Sequence, residues 1–144
     1  MADTIDLVLP VKPGLRDDGD RMRICLSSLE RYLDCSRVGQ LLIVIPDGVA
    51  KESVQPTTWN DLGLPVATKV LHDHELLGLN PLRARVGGWF TQQLVKLAAA
   101  AHLASEFYIT LDADVILTRP TRYENLVESG RAATLYYSRQ VHAS

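Results

Sequence analysis

Cysteine is scarce: Cys25 and Cys35 lie ten residues apart, with no further Cys or His at metal spacing beside them. Two thiols are too few for a disulfide framework and fit buried or idle side chains in a reducing compartment. Charge of one sign is also missing, since 15 Lys and Arg stand against 17 Asp and Glu for a formal net charge of −2. No global field therefore favours nucleic acid or an anionic membrane. The apolar run nearest to membrane length, Leu97 to Ala104, is short, alanine-rich and interrupted by His102, so no transmembrane segment is expected. Met1 to Lys12 has no basic region ahead of its apolar residues, which excludes a signal peptide and makes a cytoplasmic location the expectation. There is no internal repeat, no low-complexity tract and no break in composition. The 144 residues read as a single domain, 1–144, of a size that buries roughly 70% of its unfolded surface.

What is present is an alternation of short apolar runs and helical patterns. Ile5 to Val11 reads as a buried strand ended by Pro13-Gly14. Asp20 stands at an N-cap position before a helix from Arg21 to Leu33, where Met22, Cys25, Leu26, Leu29 and Leu33 form one apolar face. Gln40 to Ile45 is a second strand, stopped by Pro46-Asp47-Gly48, and Val66 to Leu71 a weaker third. Residues 49–65 read as loop or short helix, and 72–88 as irregular. Trp89 to Ala104 is the clearest helix, with a stripe of Phe90, Leu94, Leu97, Ala98 and Ala101. Phe107 to Leu111 is a fourth strand and Ala132 to Tyr137 a fifth. Apolar runs rather than strict alternation predict an α/β fold with a mostly parallel sheet flanked by helices. Ligands of such sheets bind outside the carboxyl ends of the strands. Polar residues follow the strands in just those places: Lys12, Asp47, His72 to Glu75, and Asp112 with Asp114.

The segment Phe107 to Pro120, FYITLDADVILTRP, delivers two aspartates separated by one small residue at a strand end. In an extended segment residues i and i+2 point the same way, so Asp112 and Asp114 could both face one ion. A hard divalent cation, Mn²⁺ or Mg²⁺, takes carboxylate oxygens and leaves positions for phosphate. Such an ion would neutralise a departing diphosphate. A bare D-x-D also caps surface strands; its place after a buried apolar strand is what favours the metal reading. Arg83 and Arg85 precede the long helix in a glycine-rich stretch suited to contacting a diphosphate, with solvated charge as the equal alternative. On that helix Trp89, Gln93, Lys96 and Ala100 share a face, and a lysine there could meet phosphate as a point charge. Trp89 and Phe90 are more often core than sugar platforms. His72-Asp73-His74-Glu75 contains zinc-type ligands, but no third or fourth ligand stands at a recognisable spacing.

Leu111-Asp112-Ala113-Asp114 followed by Val115-Ile116-Leu117 resembles the D-x-D region of GT-A-fold glycosyltransferases, the glycogenin-like family above all. In that family the preceding helix carries a lysine that reaches the sugar-nucleotide pocket, and Lys96 stands sixteen residues before Asp112 at a similar spacing. Leu7-Val8-Leu9-Pro10, with Arg23 to Leu29, is similar to the first strand and helix of the inverting GT-A transferases. Leu42 to Gly48 resembles their second strand and base-binding aspartate, here Asp47. The helix from Gly88 to Leu97 is similar to that of a bacterial group of glycosyltransferase-like proteins. The resemblance covers most of residues 5–120. It implies a Rossmann-like GT-A nucleotide-sugar-binding fold and a metal-dependent transferase of hexosyltransferase type. The implied donor is a UDP- or GDP-sugar bound by Pro10, Lys12, Asp47, Arg85, Lys96 and Asp112, with metal at Asp112 and Asp114; acceptor and catalytic residue stay unassigned. The family places its acceptor site beyond the D-x-D, and only thirty residues follow Asp114, so an incomplete version lacking the acceptor part is expected. Cover for an incomplete sheet would come from a homodimer. The alternatives are a non-catalytic nucleotide-binding module and a phosphatase of the haloacid dehalogenase type, with Asp112 as nucleophile and Asp114 as acid or base.

Overall fold

The computed structural model describes residues 3–12, 18–54, 63–78 and 88–133. Its centre is a four-stranded parallel sheet built from β1 (Ile5–Pro10), β2 (Val38–Ile45), β3 (Ala67–His72) and β4 (Phe107–Thr110), in the order β3-β2-β1-β4. β1 is buried along its whole length and β2 from Leu41 onward. That double burial is why both read as unbroken apolar runs.

Alternation along the strands sends side chains to two separate cores. Leu7, Leu9, Leu41 and Ile43 meet α1 (Asp18–Tyr32), whose Met22, Cys25, Leu26 and Leu29, with Leu33 just beyond, are buried as the sequence pattern requires. Each such leucine contributes about 1.5–3 kcal/mol by leaving water. α1 begins three residues before the expected start at Arg21, so Asp20 lies within the helix rather than at its N-cap. Val8, Leu42 and Val44 form the other face, covered by α2 (Asp73–Leu77) and α3 (Gly88–Ala98), the latter continued by a tighter turn over Ala99–His102.

α3 departs from its expected orientation. The buried residues are Val95 and Ala99, while Phe90 and Leu97 of the predicted stripe are 54% and 72% exposed. Small side chains let the helix lie close on a face made of Val8 and Val44, and that rotation brings Trp89 and Gln93 to the carboxyl edge of the sheet. The helix is apolar on more than one side, so periodicity alone did not choose the side that packs. The stretch read as irregular after β3 contains α2, whose entry is stabilised by Glu75 accepting the His72 backbone N–H at 2.7 Å. Gly78, at φ +62°, closes it in the left-handed conformation.

At the amino end of the sheet, Asp6 is buried. Its carboxylate accepts hydrogen bonds from Gln40 N (3.0 Å), Ala104 N (3.0 Å), Ser105 N (3.1 Å) and Ser105 Oγ (3.0 Å). One side chain thereby ties β1 to the start of β2 and to the turn that feeds β4. Gly39 passes so close that a Cβ there would sit 2.5 Å from Asp6 Oδ1, which accounts for a glycine inside a strand.

Beyond β4 the chain runs back over α1, with Val115 and Leu117 packed on the first core. It then forms a two-residue hairpin, β5 (Val127–Glu128) with β6 (Arg131–Ala132). Ser129 and Gly130 both have positive φ, as the tightest hairpin turns require. The expected fifth strand overlaps this hairpin only at Ala132, and residues 134–137 of it lie outside the described residues. Among the described residues no helix is long and apolar enough to cross a membrane.

Candidate functional site

From β1 the chain winds outward through β2 to β3, then returns to place β4 on the other side of β1. The reversal leaves a crevice at the carboxyl ends of β1 and β4, where open α/β sheets bind ligands. Leu111 N donates to Val8 O at 2.8 Å, extending the β4–β1 pairing, and Val11 N to Val44 O at 2.9 Å, extending β1–β2, so the strand ends stay in register up to the crevice. A cavity of about 580 Å³ opens there, within the range of small-molecule sites. Pro10, Lys12, Asp112 and Asp114 line it, with Trp89 and Gln93 from α3 on the wall.

The aspartates do not lie on an extended segment. Val115 N donates to Asp112 O at 2.9 Å, closing a turn over Asp112 to Val115. Both carboxylates still border the same cavity, brought there by the turn rather than by strand periodicity. Lys96 reaches across from α3, and its Nζ donates to Asp112 Oδ1 at 2.6 Å. The ammonium is well covered, its side chain 14% exposed against 53% for Asp112. Tyr108 of β4 steadies that part of α3, its hydroxyl donating to Lys96 O at 3.0 Å. Two carboxylates beside one lysine form an oxygen-only donor set suited to Mg²⁺ or Mn²⁺, with a cation already placed for a second anion.

Under the turn, Cys25 of α1 points its thiol at Asp112 O, 3.9 Å away. Burial, and secondarily the charge of Asp114, push the Cys25 thiol up to about 11, so it stays protonated at neutral pH. One turn along α1, the buried Ser28 hydroxyl donates to Cys25 O (2.7 Å) and accepts from Leu117 N (3.0 Å). It is the clamp on the segment leaving the aspartates. Ser28→Ala leaves the Leu117 N–H without that acceptor and is expected to cost about 1–3 kcal/mol, read as a lowered urea midpoint with an unchanged slope.

Asp47 does not line the cavity; its carboxylate meets His74 Nδ1 instead. Arg83 and Arg85 lie outside the described residues. Arg21 of α1 lines the cavity without having been singled out, and so does Asp73 at the start of α2, named in the sequence only within the run from His72 to Glu75. Trp89, read as core, is 74% exposed at the cavity wall, and Phe90 is exposed beside it. Of these, only the shared spacing of Trp89, Gln93 and Lys96 was visible as a pattern. Ser28 could have been suspected as a lone hydroxyl bordering an apolar helical face. Both cysteines are free, Cys25 buried and Cys35 half-buried.

A second cluster sits at the ends of β2 and β3. Asp47, His72 and His74 each bring a ligand-type atom within 4.8 Å of the others. The two imidazoles stack with centroids 5.6 Å apart. Beside them Glu75 is held down to about 2 by the His72 N–H and then by Lys51, whose Nζ lies 2.7 Å from Glu75 Oε2.

A family model described as "Family of unknown function (DUF6492)" matches residues 2–144. No curated protein matches the chain. Among solved structures, mouse xyloside xylosyltransferase 1 in its apo form superposes with a TM-score of 0.56 over 81% of this chain, at 18% identity. The chain spans 46% of that structure's length, a little under half. The likeness is one of fold: a Rossmann-like α/β arrangement with a parallel sheet flanked by helices, shared with a glycosyltransferase.

Proposed function

The chain belongs to the DUF6492 family, and we propose that this member holds a nucleoside-diphosphate sugar in the cavity between β1, β4 and α3 and acts in glycosyl transfer on a GT-A-type scaffold. One observation carries the reading: Asp112 and Asp114 border the crevice at the switch in strand order, with Lys96 ion-paired to Asp112 at 2.6 Å. Asp112 and Asp114 would hold Mg²⁺ or Mn²⁺, with phosphate oxygens and water completing its shell. The chemistry such an ion supplies when bound is neutralisation of charge on a leaving diphosphate. Lys96, which meets the site through Asp112 rather than by lining the cavity, would offer the diphosphate a second cation. Pro10 and Lys12, at the end of β1, border the part of the cavity left for the nucleoside. The exposed face of Trp89 gives a sugar or base an apolar surface to lie on. The fold likeness to a protein named as a xylosyltransferase supports the same class of chemistry.

Calorimetric titration of UDP and GDP, each with and without Mn²⁺, tests the binding half of this reading. Metal-dependent binding is expected, and Asp112→Ala or Asp114→Ala should abolish it. Absence of binding to any nucleoside diphosphate would sink the proposal. Hydrolysis of a UDP-sugar then separates a working transferase from a binding module, and turnover of a phosphomonoester would point to a phosphatase instead.

A further inference from the structure

From the geometry of Asp47, His72 and His74 we infer a second metal site in this chain, one that takes a zinc-type ion and is independent of Asp112 and Asp114. The three residues come from two strand ends brought side by side: Ile45 of β2 pairs with His72 of β3, Asp47 follows two residues after Ile45, and His74 is the second residue of α2. A contact between Asp47 Oδ1 and His74 Nδ1 already exists. The ligand atoms lie within 4.8 Å of one another, whereas tetrahedral zinc with bonds of about 2.0–2.1 Å spaces them about 3.4 Å apart. Convergence therefore needs only small side-chain rotations of groups that are all partly exposed.

The surroundings of His72 fit a ligand. Its Nε2 lies 3.0 Å from Val49 O and its Nδ1 3.2 Å from Glu75 Oε2. Both neighbours offer acceptor oxygens, a backbone carbonyl and a carboxylate. Whichever nitrogen turns its lone pair to a metal, the other has an acceptor ready for its proton, the arrangement that orients metal-bound histidines. With a neutral ring and no cation, one nitrogen lone pair would face an acceptor oxygen. A metal ion on that nitrogen removes the mismatch.

Ligand type distinguishes this site from the aspartate pair. Two imidazoles and one carboxylate form an N₂O set that favours Zn²⁺ or Co²⁺, while two carboxylates alone favour Mg²⁺ and Mn²⁺. Three protein ligands leave a fourth position for water or a substrate atom. The neighbours Pro46 and Asp73 line the cavity, so an ion here would brace its wall by pinning the turn after β2 to the start of α2.

Titration of the full chain with Co²⁺, followed by its visible ligand-field absorption and by circular dichroism, tests this. Wild type should show bands that saturate at one ion per chain. The Asp112→Ala/Asp114→Ala double variant should keep them at the same intensity, and Zn²⁺ should displace the cobalt. Asp47→Ala, a change on an exposed turn, should weaken binding about 100-fold or more, beyond the 10- to 100-fold that loss of a mere outer partner costs. His74→Ala should do the same with an unchanged dichroism spectrum, and zinc should raise the melting temperature of wild type but not of Asp47→Ala. Absence of cobalt bands, bands that survive Asp47→Ala, or bands lost only in the double variant would overturn the inference. None of these outcomes depends on nucleotide binding, so this inference and the proposed function fail separately.

Discussion

Asp6→Ala is expected to lower folding stability by about 3–5 kcal/mol, the largest single-residue effect outside the hydrophobic core. The carboxylate, itself almost wholly buried, takes three backbone N–H groups and one hydroxyl. Alanine removes the acceptor of the three backbone donors, while Ser105 Oγ keeps Thr4 Oγ1 at 2.8 Å; an orphaned buried donor costs about 1–3 kcal/mol on its own. A domain of this kind has roughly 5–15 kcal/mol in hand, so the variant would lose a large share of it. Urea unfolding at neutral pH should show a lower midpoint with the slope kept. Asp6 lies six residues before Lys12, about 20 Å along the strand, so nucleotide binding by the folded fraction should not change. A variant that stays as stable as wild type would mean water supplies what Asp6 supplies.

Lys96→Ala should weaken UDP by about 10- to 150-fold, the worth of a charge-assisted hydrogen bond at ~1.5–3 kcal/mol. Uridine should bind the variant and wild type alike. Lys96 combines two properties that surface lysines rarely share: a covered side chain and a carboxylate at 2.6 Å. Most exposed ion pairs contribute little; here the lysine half is covered while Asp112 stays 53% exposed, so the pair holds a charge in a set place that a diphosphate would meet without further ordering. Calorimetry with UDP and uridine in parallel makes the comparison. Equal losses for both ligands would place Lys96 away from the phosphates.

Much of this architecture was legible because burial writes itself into strand composition. β1 and β2 are covered on both faces, and their runs of Leu, Val and Ile could hardly be anything but central parallel strands. The α1 face was equally plain, as one stripe of large apolar residues against charged neighbours. α3 was not, because Phe90, Leu94 and Leu97 on one side compete with Val95 and Ala99 on the other, and close approach to the sheet selected the smaller pair. The Asp112, Asp114 and Lys96 grouping was readable from spacing, although the pair is shaped by a turn and not by an extended segment. Asp47 with His74 was invisible, since the third ligand-type residue lies 25 positions before His72 and reaches it only through β2–β3 pairing. Contacts across neighbouring strands leave no periodic trace in either strand.

The buried Asp6 knot has a meaning for how such a chain can change. It lies at one pole of the sheet and the ligand crevice at the other, with the apolar length of β1 between them. Substitutions that retune what the crevice accepts leave the knot untouched, so specificity can drift without reopening the question of whether the chain folds. A library randomised at Lys12, Trp89 and Gln93 should therefore keep most of its members folded, whereas one randomised at Asp6, Gly39 and Ser105 should keep few.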